Sequence, residues 1–249
     1  MAIWYNTFFF GIYPYIALAV MILGSIVRYD REPYSWRSGS SQMLRKKQLF
    51  WGSNLFHIGI ILLFLGHFIG LLTPHWAYAW LIEASTKQTL AVTAGGIFGG
   101  ICFIGLTLLL HRRLTDPRIR LTSTTMDIAI LVILWVQLAL GLATLPFSVQ
   151  HSDGSTMLVL AEWAQRILTF RGDAAPLVAG TDWPYQLHII LGLTIFLLFP
   201  FSRLVHIWSV PVRYVWRQGY QVVREGHSQR QGGPVGTPGQ RHKKLHPAE

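Results

Sequence analysis

Charge and sulfur are scarce in this chain. Of its 249 residues only 13% are charged, acidic residues number 11, and there is a single cysteine, Cys102. One thiol excludes a disulfide within the chain. It also excludes an iron–sulfur cluster held by this chain alone, which needs several thiolates. Soluble globular domains carry charge on about a quarter of their residues, so an ordinary water-facing domain is excluded too. Strict alternation of polar and apolar residues is missing, which argues against membrane strands. No basic helix or aromatic–basic platform stands apart from the apolar blocks, so nucleic acid is not an expected partner.

What is present in quantity is apolar sequence, 51% of the chain, and it comes in long blocks. Residues 8–27, 50–72, 88–110, 126–147 and 184–208 each run for roughly 20 residues or more, enough for a helix to cross a bilayer. The pattern predicts an all-α integral membrane protein, a bundle of five transmembrane helices. The first block has no Lys or Arg before it and no small-residue cleavage pattern after it, so it is expected to remain as the first helix rather than act as a cleaved signal. Basic residues are segregated. All of the 21 except Lys87, Arg166 and Arg171 lie in the first and third connections or from Arg203 onward. Positive charge is retained inside, which places the N-terminus outside and the C-terminus in the cytoplasm. The net charge of +10 follows from that segregation, with an acidic partner or lipid surface as a further contributor.

The connections are short except for 148–183. Within it, "SDGSTMLVLAEWAQRILTF" predicts a short helix on the outer surface, capped at Ser155, followed by irregular chain. The membrane domain is expected to extend to about residue 218. The tail from Gly219 is polar and rich in glycine and proline, as disordered or partner-bound segments are. Gly52, Gly59 and Gly66 recur every seven residues in the second block, with Gly70 near the same stripe. Such stripes let helices approach closely in lipid. On a helical wheel this one lies about 160° from His57 and about 100° from His67, so it is expected to pack on a neighbouring helix. Cys102 reads as a small buried packing residue.

Ten histidines are present, and four fall inside the apolar blocks: His57 and His67 in the second, His188 and His206 in the fifth. These two helices are antiparallel. His57 and His206 therefore share the cytoplasmic half, and His67 and His188 the outer half. A lone intramembrane histidine is commonly satisfied by a neighbouring helix. Four of them, confined to two helices and pairing by depth, fit bis-histidine ligation of two haems, each ring giving one nitrogen to iron and the other to a carbonyl. One feature of the spacing resists this. The pair in the second block is separated by about 15 Å of helix and the pair in the fifth by about 27 Å, leaving tilt, inclined haems or a kink at Pro200 to absorb the difference. Arg203, three residues before His206, and Arg112 or Arg113 at the end of the third block are candidates for the inner haem's propionates, besides their role as topology anchors.

Several stretches resemble one family: "FFFGIYPYIA", "SSQMLRKKQ", "SNLFHIGI", "GHFIGLLTPHW", "LPFSVQHSDGS" and "LFPFSRLVHIWSVPV". The chain resembles the gamma subunit of membrane-bound respiratory nitrate reductase, over about residues 5–215. That resemblance implies a cytochrome b that binds two b-type haems, oxidises membrane quinol and passes electrons to an iron–sulfur beta subunit and a molybdenum-containing alpha subunit. It implies His57 and His206 as ligands of the inner haem and His67 and His188 as ligands of the outer one. It also implies a quinol site beside the outer haem, where Lys87 matches an implicated lysine; the outer-haem edge near Gly66 is the other candidate location. His75 and Asp182 are secondary candidates for accepting protons there. The expected location is the bacterial cytoplasmic membrane. Two other readings compete. A related haem anchor of a sulfur-cycle reductase would differ in its partner subunits. A metal transporter with intramembrane histidines would need carboxylates at mid-depth, which the second and fifth blocks lack.

Overall fold

The computed structural model describes residues 2–36 and 44–209. Among them there is no strand, and five helices are long and apolar enough to cross a membrane. These are α1 (Ile3–Arg31), α2 (Lys46–Leu72), α3 (Ala84–Thr115), α4 (Thr125–Gln150) and, in the fifth span, α6 (Trp183–Leu198). Between α4 and the fifth span lies the amphipathic α5 (Ser155–Leu168). The five-helix expectation holds, with two changes that matter for the site. Helix α3 begins at Ala84, so Lys87 stands in its first turn rather than in a loop. The fifth span is not one helix to residue 208. Pro200 lacks the N–H that would continue the α-helical ladder, and the chain turns through a 3-10 turn, Phe199–Phe201. Ser202 is extended, and a second 3-10 helix, Arg203–Ser209, carries His206. The expected tail from Gly219, and the boundary at 218, lie outside the described residues.

Close packing of α2 on α3 rests on glycine. A Cβ at Gly59 would stand 2.5 Å from the Cβ of Cys102, and one at Gly105 would collide with the backbone N of Phe56. Cys102 is fully buried there. Helix α3 then packs on α4, α4 on α6, and α6 on α1. The glycine stripe of α2 divides, however. Gly52 and Gly59 meet α3 as expected, whereas a Cβ at Gly66 or Gly70 would meet nothing within 4 Å. The lower half of the stripe packs, and the upper half faces a cavity.

Proline also shapes α1. Pro14 cannot donate to Phe10, and the helix widens to a π turn over Phe8–Ile12. The Phe10 carbonyl instead accepts the Trp163 indole N–H of α5 at 2.9 Å, in a buried contact. That bond helps hold α5 against the bundle. Gln165 of α5 donates to the Leu71 carbonyl at the end of α2. The expected surface helix is thus a cover docked on the spanning helices. Its cap differs from expectation: Gly154, with φ of 85°, occupies the N-cap position, and the Asp153 carboxylate accepts the Ser155 N–H and hydroxyl. A Cβ at Gly154 would lie 2.8 Å from the Ala84 backbone, so only glycine lets α5 start against α3. The irregular stretch after α5 contains one short helix, Ala175–Ala179.

Candidate functional site

The histidines of α2 meet one ring from α6, His188, and one from the 3-10 helix after it, His206. The rings of His67 and His188 have centres 6.1 Å apart. Those of His57 and His206 are 6.4 Å apart, with planes 70° apart against 35° for the first pair. The rings that lie together are those of His67 with His188 and of His57 with His206. Helix α2 carries its two rings on one uninterrupted helix, whereas the departure from α-helix between His188 and His206 falls at Phe199–Ser202. The mismatch in spacing meets this break.

Each of the four rings uses Nδ1 in the same way. His57 donates to the Ser53 carbonyl at 2.7 Å and His67 to the Leu63 carbonyl at 2.8 Å. His188 donates to the Gln137 carbonyl at 3.1 Å and His206 to the Arg203 carbonyl at 2.6 Å. A carbonyl can only accept, so Nδ1 is the donor, and in the neutral ring that leaves the Nε2 lone pair for a metal. This is the arrangement of metal-bound imidazole, whose second nitrogen is held by a carbonyl. The spacing agrees. With a metal–nitrogen bond of about 2.0 Å, two rings on opposite faces of one ion have centres roughly 6.3 Å apart. Each pair of rings would therefore be spaced to hold one haem iron between them. At His188, Nε2 also lies 3.4 Å from the Gln137 amide nitrogen, which makes a shorter bond of 3.0 Å to the His188 carbonyl. Ligation would give up the longer contact and keep the shorter.

Around His67 and His188 lies a cavity of about 350 Å³. Gly66 and Gly70 of α2, Gly95 and Gly99 of α3, and Gly141 of α4 contribute to its wall, with α5 closing one side through Met157 and Trp163. Glycine here substitutes absent side chains for space along an apolar slot. Gly141 has the most direct effect, since a Cβ there would sit 2.9 Å from Cε1 of His188.

The remaining candidates fall into two groups. At the Gly70 end, Lys87 donates to the Gly70 carbonyl at 3.3 Å and lies over the Tyr78 ring, 3.7 Å from its centre. His75 stacks edge-on against the same tyrosine, and burial pushes the Tyr78 phenol up. Lys87 thus borders the cavity through Gly70 without lining it. Asp182 occupies the N-cap position of α6 without a side-chain hydrogen bond to the helix. At the opposite end, Arg112 is buried and donates to the Leu44 carbonyl at 2.6 Å. Arg203 reaches Asp127 with Nε at 2.8 Å. The sequence reading set Arg203 on one helical face with His206. In the structure it precedes His206 on a 3-10 segment, and its carbonyl holds the His206 ring.

With this geometry the comparisons with known proteins become specific. The family model described as nitrate reductase gamma subunit matches residues 6–226. The chain belongs to the nitrate reductase gamma subunit family. It is 55% identical to the respiratory nitrate reductase 1 gamma chain of Escherichia coli, over 89% of this chain and 98% of that one. The respiratory nitrate reductase 2 gamma chain of the same organism is 54% identical over 88% and 96%. The nitrate reductase gamma chain of Bacillus subtilis is 37% identical over 86% and 96%. A gamma subunit is one part of an oxidoreductase complex, so other subunits complete it. Sequence reasoning about this gamma subunit missed Gln137 and Gly141. Gln137 had a signal, being a lone amide in the apolar run "LVILWVQLALGL". Gly141 had none, because its partner is a ring on another helix.

Proposed function

We propose that the chain is the dihaem cytochrome b subunit of a respiratory nitrate reductase and the site where membrane quinol is oxidised. The observation that carries this is the doubled geometry: two histidine pairs with ring centres 6.1 and 6.4 Å apart, every Nδ1 committed to a carbonyl. Two bound b haems would supply one-electron transfer between quinol and partner subunits. His67 and His188 hold one haem iron in this reading, and His57 and His206 the other.

The rest of the reading concerns what this chain's residues do. The segregation of basic residues supports an N-terminus outside and a cytoplasmic end at His57. Quinol would approach the outer slot beside Gly66, where the absent side chain leaves room for a flat ring. Lys87, fixed by Gly70 and Tyr78, sets a positive charge at the rim of that slot and favours the oxygen of a quinol losing its proton. His75 and Asp182 lie on the side where such protons would leave. At the cytoplasmic end, Arg112 and Arg203 supply positive charge to propionates, and the face they occupy would dock an iron–sulfur beta subunit, which passes electrons to a molybdenum-bearing alpha subunit that reduces nitrate. The bacterial cytoplasmic membrane is the location this implies. Family membership favours nitrate over a sulfur-cycle partner.

The test is an absorption spectrum and haem assay of the purified complex. Two low-spin b-type haems per gamma chain, reduced on adding a quinol, is the expected result. A haem-free chain in an assembled, nitrate-reducing complex would overturn it.

A further inference from the structure

The segment that carries His206 is the least regular part of the described membrane domain. Beyond Leu198 the α-helical ladder stops, and the carbonyls of Pro200 and Ser202 lie at the junction between the two 3-10 segments. A break of this kind is steadied when a charged donor bonds its carbonyls. The donor is Arg28 of α1. Its Nη1 bonds the Pro200 carbonyl at 2.6 Å and the Ser202 carbonyl at 2.8 Å. Its other nitrogens are taken by Ser35, Nε to the hydroxyl and Nη2 to the carbonyl, each at 3.0 Å. The guanidinium is therefore held as a fixed fork between the end of α1 and the break. Gly24 admits the same break to α1, since a Cβ there would lie 2.8 Å from Cγ of Pro200.

A second hold comes from α4. Asp127 completes the capping box of that helix with Thr124, each side chain accepting the other's backbone N–H. Its carboxylate also accepts Nε of Arg203 at 2.8 Å and lies 3.8 Å from Nη1 of Arg113. The carbonyl of that same Arg203 accepts Nδ1 of His206 at 2.6 Å. Two spanning helices thus fix the two residues, Ser202 and Arg203, from which the His206 ring is hung. No comparable device is needed at His188, which sits within α6 and bonds directly to α4.

We propose that Arg28 and Asp127 are positioning residues for the His57/His206 haem: they set the direction of the His206 imidazole through the Pro200–Arg203 break, and so control that haem's occupancy and potential without touching it. The inference rests on the dihaem reading above. It gives two residues otherwise read as a topology charge and a helix cap a selective effect on one of two redox centres.

The experiment uses the complete complex in native membranes, with haem quantified per gamma chain and each haem followed by redox-titrated optical and electron paramagnetic resonance spectra. Arg28→Gln should lose the low-spin signal of the His57/His206 haem, or convert it to high spin, while the His67/His188 signal keeps its wild-type shape and midpoint. Asp127→Asn, which retains the capping geometry but removes the charge facing Arg203, should shift the midpoint and line shape of the same haem alone. Arg28→Lys should restore occupancy but not the wild-type midpoint, because an ammonium cannot reproduce a planar fork. Three results would overturn the proposal. One is unchanged spectra and midpoints in Arg28→Gln and Asp127→Asn. The second is parallel loss of both haems relative to chain in Asp127→Asn and Arg28→Lys, which marks a general folding role. The third is a selective effect on the His67/His188 haem instead. Absence of b haem from the wild-type complex would sink the dihaem reading itself, a result separable from all three.

Discussion

Histidine in hydrocarbon is tolerated when both ring nitrogens are occupied, and each of the four here has one nitrogen already committed to a carbonyl. Replacing His57 or His206 with Ala should remove the haem at that end and leave the other. Replacing His67 or His188 should do the reverse. Spectra of the four single variants check this, and loss of one common haem in the His57 and His67 variants would contradict the pairing. Gly141→Ala should act like a ligand mutation without touching a ligand. Its methyl would stand 2.9 Å from the His188 ring, and overpacking of this kind costs about 1–3 kcal/mol, so the His67/His188 haem should be depleted or shifted while the other persists. Lys87→Ala should slow quinol-dependent haem reduction by roughly tenfold to a hundredfold, the worth of a charge-assisted hydrogen bond of about 1.5–3 kcal/mol, with both haem spectra intact. Lys87→Arg should rescue it in part. Unchanged quinol kinetics in Lys87→Ala would confine the site to the Gly66 edge.

Among the elements, α5 shows how one side chain couples the bundle to its cover. Trp163→Phe keeps the packing area but leaves the Phe10 carbonyl without the donor that Pro14 denies it. That should cost about 1–3 kcal/mol, read as a lower unfolding temperature in detergent and faster proteolysis of the 148–183 excursion. The start of α5 should also be acid-sensitive. The Ser155 hydroxyl and N–H hold the Asp153 carboxyl below the usual carboxylate range. A depressed value means the contribution is present above the unfolded value of about 3.9 and lost as pH falls through the folded one. Protection of the first turn of α5 against hydrogen exchange, corrected for intrinsic rates, should therefore drop below about pH 4. In Asp153→Asn that drop should be absent.

For the whole molecule, orientation is the property on which the proposed function depends. Reporter fusions at the two termini should place the N-terminus outside and the C-terminus in the cytoplasm. A photo-crosslinker attached at Arg120→Cys should capture the beta subunit, and one at Gly172→Cys should not. Capture on the 148–183 excursion would reverse both the topology and the direction of electron flow. The spectra offer a further whole-molecule check: the ring planes of His57 and His206, 70° apart, should give a more anisotropic low-spin signal than those of His67 and His188 at 35°.

Five spans, and the grouping of the four histidines as 57 with 206 and 67 with 188, were legible in the sequence alone. The reason is that a bilayer imposes one length scale and excludes unsatisfied polar groups, so apolar run length and buried histidine position carry most of the information. Gly52 and Gly59 were legible for the same reason, as small residues at helical spacing. Tertiary structure decided the rest. It showed that Gly66 and Gly70 leave the packing stripe and line the cavity, where a Cβ would meet nothing within 4 Å. It ended α6 at Leu198, since Pro200 removes a donor, and the spacing conflict between 15 Å and 27 Å meets the break that follows. It also showed Arg28 and Asp127 to clamp the break. Their partners there, Pro200, Ser202 and Arg203, lie more than seventy residues away in sequence, and no periodicity along one helix records which atoms of another it will meet.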